Sequence, residues 1–460
     1  MERLNAQDLM MLLPEEFGWP QDIGALAILD GERLLDADGR FRIEAARDQI
    51  AQRLHLVPRF RQLLQRPAFG LGWPLWVDAR SIDLADHVHV LPLAAPADEA
   101  RLLLACEELR SRRLNPSRPL WEMWFLPGLP EGRVGLFMKL HHAIADGVAG
   151  VAALGAFVDL VPDPPRTSPP PWTPAPMPST RALAADNLGR HLRALRRAFT
   201  GLDHPVGTIH GARRGWPALR EAFTEAPGPR TSLNRRVGQH RSFALVRSDL
   251  ELVKRIAHAH DAKVNDVLLA VLAGGLRALL LGRGERADGL VLRAAVPVSL
   301  HREQPGQARG NLDGMMAVPL PLGEPDDTRR LRLIATDTAE RKQKHRPQGG
   351  TVLRNIPIQR ALLRLAAHQR AMSTYAANVP GPPVRLYLAG APLLEVFPVV
   401  PLLGNISVGV GALSYAGQFN LTIVADQKAC PDLDVFVEGA RRSMDALADR
   451  VRVPASRGVG

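Results

Sequence analysis

Apolar positions along the chain follow two different rhythms. From Val134 to Leu140 the run is almost continuously apolar, which predicts a strand covered on both faces. Gly147 to Leu160 is a longer apolar stretch directly after it, and it predicts a helix. In the C-terminal half, Asn265 to Leu281 predicts a buried helix and Leu290 to Val298 a strand. Leu421 to Asp426 predicts another strand, and Asp434 to Val451 a closing helix. Strand and helix alternate without a glycine-rich nucleotide loop. The expected class is α/β layers, not a dinucleotide-binding domain.

The clearest interruption runs from Leu160 to Pro178, which is dense in proline and poor in apolar residues. Prolines fix the backbone and remove donors, so a stiff linker is expected there. It sets an N-terminal part (1–160) and a middle stretch (161–236) apart from a C-terminal part (237–460). In the middle stretch Leu188, Leu192, Leu195 and Phe199 recur at helical spacing, with Arg190, Arg193, Arg196 and Arg197 on other faces. Such a helix lies on an anionic membrane or packs on its own domain, and the pattern fits both. Gly201 to Arg236, rich in glycine, proline and arginine, predicts a mobile loop.

Composition narrows the class. The 460 residues leave room for two domains, and 46% hydrophobic against 23% charged residues is the balance of a globular chain with a real core. A net charge of +11 suits nucleic acid, an anionic membrane surface or a phosphorylated substrate. Nucleic acid fits least, because aromatic residues are only 5% and no binding motif is recognisable. Cys106 and Cys430 form neither a disulfide framework nor a metal-type spacing, and both are expected to pack as small apolar residues in a reducing cytoplasm. Met1-Glu2-Arg3-Leu4-Asn5 does not open a secretory signal. The best spanning candidate, Val267 to Leu281, is too short and carries Arg277, so membrane contact is expected only at the surface.

The segment with chemistry is Lys139-Leu140-His141-His142-Ala143-Ile144-Ala145-Asp146-Gly147. It joins a predicted strand to a predicted helix, so the histidines lie where the strand ends. Alternation sends His141 and His142 to opposite sides, and one of them can face a substrate. A neutral imidazole suits removal of a proton from an alcohol attacking a carbonyl. Asp146 precedes the helix and can cap its free amides; orienting the His142 imidazole is its alternative role. Gly147 lets the backbone turn tightly beside a ligand. Metal ligation would need both rings to converge on one ion, and no third ligand is suggested. No serine or cysteine sits in a nucleophile elbow, so a covalent acyl-enzyme is not indicated.

These residues match the HHxxxDG motif of coenzyme A-dependent acyltransferases and of peptide-synthetase condensation domains. Further segments narrow the resemblance. Pro119-Leu120-Trp121-Glu122 resembles a PLW motif, Val264-Asn265-Asp266-Val267 an ND motif, and Asn378-Val379-Pro380-Gly381-Pro382 an NVPGP segment. Gly310-Asn311 with Pro319-Leu320-Pro321, and Arg59-Phe60-Arg61 with Trp73-Pro74 and His87-Val88, also fit. Together they resemble the bacterial wax ester synthase/diacylglycerol acyltransferase family over nearly the whole chain. The resemblance implies two chloramphenicol acetyltransferase-like subdomains with the active site in a tunnel between them. It implies transfer of a long-chain acyl group from acyl-CoA to a fatty alcohol or diacylglycerol, with His142 as base. Coenzyme A thioester is then substrate, and no metal or prosthetic group is needed. The lipid acceptor implies peripheral attachment of a cytoplasmic enzyme to the inner membrane face or to lipid bodies. Ala377 stands where a serine commonly precedes NVPGP, and Leu114-Asn115-Pro116 replaces the usual LDR.

Taken from the residues alone, the extra motifs have plainer readings as well. Pro119-Leu120-Trp121 is most simply a turn with a buried indole. Asn265 and Asp266 open a helix and suit capping, with a donor role near the substrate as the alternative for Asn265. Asn311 and Asn378 sit beside turns that asparagine often serves. Ser299 is a weaker candidate for an oxyanion donor. Two other functions stay open. A condensation-type enzyme would come with carrier domains, none of which is recognised in the sequence, and a silent lipid-body coat protein would tolerate replacement of its histidines.

Overall fold

The computed structural model describes residues 2–4, 6–68, 71–95, 97–144, 147–165, 168–202, 228–299, 313–344 and 356–452. Two six-stranded sheets carry the fold. The first runs Tyr387–Leu388, Ala391–Val399, Asp22–Leu29, Val134–His141, Trp121–Pro127, Val88–Val90. The second runs Asp313–Pro321, Val291–Ser299, Thr374–Pro380, Val408–Tyr415, Gln418–Asp426, Arg241–Asp249. Most neighbours are antiparallel, but Thr374–Pro380 is parallel to both of its own.

The strand predicted at Val134 to Leu140 is observed as Val134–His141 and is buried along its whole length. Its continuous apolar run follows from its position, with a neighbouring strand on each side and packed layers above and below. Gly24 of the adjoining strand shows how close the backbones lie. A Cβ there would stand 2.2 Å from the Met138 carbonyl oxygen, so only glycine fits.

The second sheet is covered by Val264–Gly282 and Leu433–Arg452, whose apolar residues form the largest core. By length and hydropathy Val264–Gly282 passes as a membrane span, yet its interior is packed under this sheet as a core helix. The apolar helix after the histidines ends at Gly155, short of Leu160. Asp159 is instead drawn into a backbone bridge with Tyr387 and an ion pair with Arg53.

Two expectations need correction. The parts 1–160 and 237–460 are not separate in space. After Pro380 the chain leaves the second sheet, adds Ala391–Val399 to the edge of Asp22–Leu29 with Phe397 opposite Leu26, and returns at Val408. Proline density marks where a chain loosens, and it carries no information about which sheet a later strand joins. Gly201 to Arg236 is not a loose loop where it is described. Leu233 is buried in the larger core, and Gly228 donates its N–H to the Arg370 carbonyl at 2.9 Å. One well-placed leucine outweighs the polar composition around it. Residues 203–227 lie outside the described residues.

A third, three-stranded sheet joins Glu2–Arg3, Leu75–Asp78 and Gln62–Gln65. Its middle strand alternates. Trp76 packs toward Leu4, Leu12 and Ala143 beside the histidines, whereas Leu75 and Val77 pack against Leu183 of the helix Thr180–Leu202.

Candidate active site

The two histidines part company at the end of Val134–His141. Met138, Leu140 and His142 line a cavity at the junction of the two sheets. Phe137 and His141, at alternate positions, serve the other side. His141 is buried. Its Nε2 lies 3.1 Å from Glu15 Oε1, and its Nδ1 accepts the Ala143 N–H at 3.0 Å. Those two bonds together put the ring proton on Nε2, donated to Glu15. The next backbone amide, of His142, donates to the Gln21 carbonyl at 2.9 Å. One ring is thus a fastener for the turn that presents the other.

Charged groups gather behind the turn, away from the cavity. Burial would raise the Glu15 carboxyl, but the hydrogen bond and charge of His141, with Arg66 and Arg113 beyond, hold it below its ordinary value. Burial pushes the Asp22 carboxyl up to about 6, with Lys139 and His141 pulling the other way. Burial also lowers the Lys139 ammonium, which donates to the carbonyls of Leu109 and Arg112 at 3.0 and 2.6 Å.

The cavity encloses about 980 Å³, counting its open mouth. That is the upper end of ordinary small-molecule pockets. Its walls come from both halves of the chain: Ile23 to Ala25, the helix Gly147–Gly155, the odd positions Tyr375, Ala377 and Val379, and the crossing segment Val396 to Pro401. Among the lining residues His142 is the sole imidazole, and Tyr375 and Tyr415 are the other polar side chains. The Tyr415 hydroxyl is occupied, donating to the Leu393 carbonyl at 3.0 Å and accepting the Leu386 N–H at 2.9 Å.

The remaining motif residues are dispersed. Trp121 is fully buried beneath the first sheet, and the Leu120 carbonyl accepts the His141 N–H at 3.0 Å. Pro119 closes the turn by accepting the Trp121 N–H at 2.9 Å. Asp266 is assigned away from substrate: its carboxylate accepts the Lys263 N–H at 2.8 Å and the Thr338 hydroxyl at 2.8 Å, under the start of Val264–Gly282. Asn265 lies inside that helix, not at its cap, because the helix begins at Val264. Neither lines the cavity. Asn378 alternates away from it, between Ala377 and Val379, which do line it. Ser299 ends the strand Val291–Ser299, opposite Asp313, and Gly147 opens its helix. Asp146 and Asn311 lie outside the described residues.

Several contributors had no signal in the sequence. Glu15 is an unremarkable glutamate far from the motif. Val396 to Pro401 reach the cavity only through the strand exchange. The small residues Gly150, Gly155, Ala377 and Gly411 leave its space open, and only geometry shows this.

A profile of the wax ester synthase/diacylglycerol acyltransferase catalytic domain matches residues 4–268, and one of the family's C-terminal domain matches 309–448. The chain belongs to the wax ester synthase/diacylglycerol acyltransferase family. A putative diacylglycerol O-acyltransferase of Mycobacterium tuberculosis is 31% identical over 448 residues, covering 94% of this chain and 92% of the relative. A probable diacylglycerol O-acyltransferase of the same organism is 30% identical over 460 residues, covering 95% and 94%. Among solved structures, the wax ester synthase/diacylglycerol acyltransferase of Marinobacter aquaeolei VT8 superposes with a TM-score of 0.70 at 22% identity, over 98% of this chain and 100% of that one. A starter condensation domain of rhizomide synthetase, solved with C8-CoA and Leu-SNAC, gives 0.59 at 14% identity, over 98% and 94%. At such identities these two likenesses speak for the fold, which is the two-lobed acetyltransferase-like architecture expected. As a member of the family, the chain is an acyltransferase that takes its acyl group from a coenzyme A thioester.

Proposed function

We propose that the protein transfers a long-chain acyl group from coenzyme A to the hydroxyl of a fatty alcohol or of diacylglycerol, with His142 as general base. The observation that carries this reading is one imidazole facing an otherwise apolar cavity built jointly by both sheets. The acyl chain lies along the apolar walls. The acceptor oxygen gives its proton to His142 as it attacks the thioester carbonyl. The tetrahedral oxyanion collapses, the carbon–sulfur bond breaks, and the imidazolium returns the proton to the leaving thiolate. The products are ester and free coenzyme A, and the ring ends as it began. Both acceptors dissolve in lipid, so the enzyme works as a cytoplasmic protein peripheral to the inner membrane face or to lipid bodies.

The direct test mixes purified protein with palmitoyl-CoA and equal hexadecanol and diacylglycerol, and follows free thiol together with both esters. Thiol release coupled one-to-one to ester supports the reading, and the ester ratio gives the acceptor. Thiol release without ester, or no release, overturns it.

Glu15 acts on this chemistry through His141. Glu15→Ala removes the acceptor of the His141 ring proton and frees the turn, and a misplaced base costs about 10- to 100-fold in kcat. KM for palmitoyl-CoA is expected to stay near the parent value. Glu15→Gln, whose amide oxygen still accepts from Nε2, is expected to recover most of the rate. Equal loss in both variants would point to the carboxylate's charge and not to its hydrogen bond.

A further inference from the structure

The helix Thr180–Leu202 is docked the wrong way round for a soluble protein. A surface helix ordinarily turns its apolar stripe inward. Here the inward contacts are mainly polar. Asp186 takes the Arg3 guanidinium at 2.5 Å, Arg3 also donates to the Leu183 carbonyl at 3.3 Å, and Leu183 alone inserts an apolar side chain, against Leu75 and Val77. Leu188, Leu192 and Leu195 are 61%, 57% and 55% exposed. At about 100° per residue they stand roughly 120–180° around the helix from Leu183. They form one stripe, turned out to solvent.

Charge says what covers it. Arg181, Arg190, Arg193 and Arg196 are exposed on the same helix, against the single acid Asp186. An apolar stripe flanked by arginines matches an anionic lipid surface, where the leucines enter the acyl layer and the guanidinium groups meet phosphates. A protein partner of matched shape would not call for such one-sided charge. Position supplies the link to the reaction. The strand Leu75–Asp78 meets this helix with Leu75 and Val77, and meets Ala143, next to His142, with Trp76. A single thin sheet therefore lies between the lipid-facing helix and the turn that bears the base.

We infer that the outward face of Thr180–Leu202 is a docking surface for anionic lipid, and that it seats the cavity of His142 at the phase that holds the acceptor. The inference rests on the proposed use of a lipid acceptor for its purpose, but not for the binding itself. The test compares the full chain with Leu188→Glu/Leu192→Glu/Leu195→Glu in flotation with vesicles of phosphatidylcholine, with and without 30 mol % phosphatidylglycerol. The parent is expected to float at least 10-fold more with the anionic vesicles and to be released by 0.5 M salt. The triple variant is expected to remain in solution while esterifying a short, water-soluble alcohol within about 2-fold of the parent. Equal flotation of the two proteins, or no flotation of the parent, overturns the inference. So does a parent dimer that the triple variant dissolves in sedimentation without any vesicle binding, because the stripe is then an interface between copies. If the parent floats but makes no ester from any alcohol, the surface stands and the proposed reaction fails.

Discussion

His142→Ala is expected to release thiol from palmitoyl-CoA about 10²- to 10⁴-fold more slowly than the parent in the presence of hexadecanol. That range is about 3–5 kcal/mol of barrier. KM for palmitoyl-CoA should change little, because the apolar walls hold the acyl chain and His142 is one group among many that line them. Stability should also change little, since the ring faces open space and not a packed core. His141→Ala is the informative contrast. It leaves Glu15 and the Ala143 N–H without their partner, and so is expected to lower the denaturation midpoint and kcat together. Steady-state kinetics and chemical denaturation of both variants separate a base from a fastener. Unchanged turnover in His142→Ala would remove the ring from the mechanism and leave a lipid-binding protein whose histidines are replaceable.

The sequence carried the strand-to-helix junction well, for a physical reason. Val134–His141 is apolar on both faces because it is central, and the same alternation that places Met138 and Leu140 along the cavity places His142 there and turns His141 away. Motif order carried the family. What stayed hidden depends on pairing between distant segments. Nothing in Ala391–Val399 marks it as an edge for Asp22–Leu29, since apolar alternation is the same whichever sheet accepts a strand. The outward stripe of Thr180–Leu202 was hidden too. Its spacing fixes that the leucines share a face, but only the Arg3–Asp186 contact fixes which way that face points. Asp266 shows the reverse failure. Its place in a motif suggested substrate, whereas a free amide at a helix start and the Thr338 hydroxyl fully occupy it.

Trp121→Ala is expected to destabilise the protein by about 3–5 kcal/mol, as removal of a large aromatic from a core does. The indole has no exposed surface. It stacks on Phe60 with ring centroids 5.0 Å apart and on His87 at 4.4 Å, and its Nε1 donates to the Phe60 carbonyl at 2.9 Å. The cavity left by alanine would open beside Trp121–Pro127, the strand that pairs with the histidine strand and sets Trp121 opposite Leu140. Trp121→Phe keeps a stacking ring and loses the donor, so about 1–3 kcal/mol is expected from the carbonyl left unpaired. Denaturation followed by circular dichroism gives both values, and kcat per folded molecule should fall less in phenylalanine than in alanine. The two readings of this motif then diverge. A tryptophan that only supports the strand alters stability and rate in step and leaves acyl-chain preference alone. A tryptophan on the substrate path would shift the preference for chain length in Trp121→Phe at nearly constant stability, and that outcome would refute the supporting role.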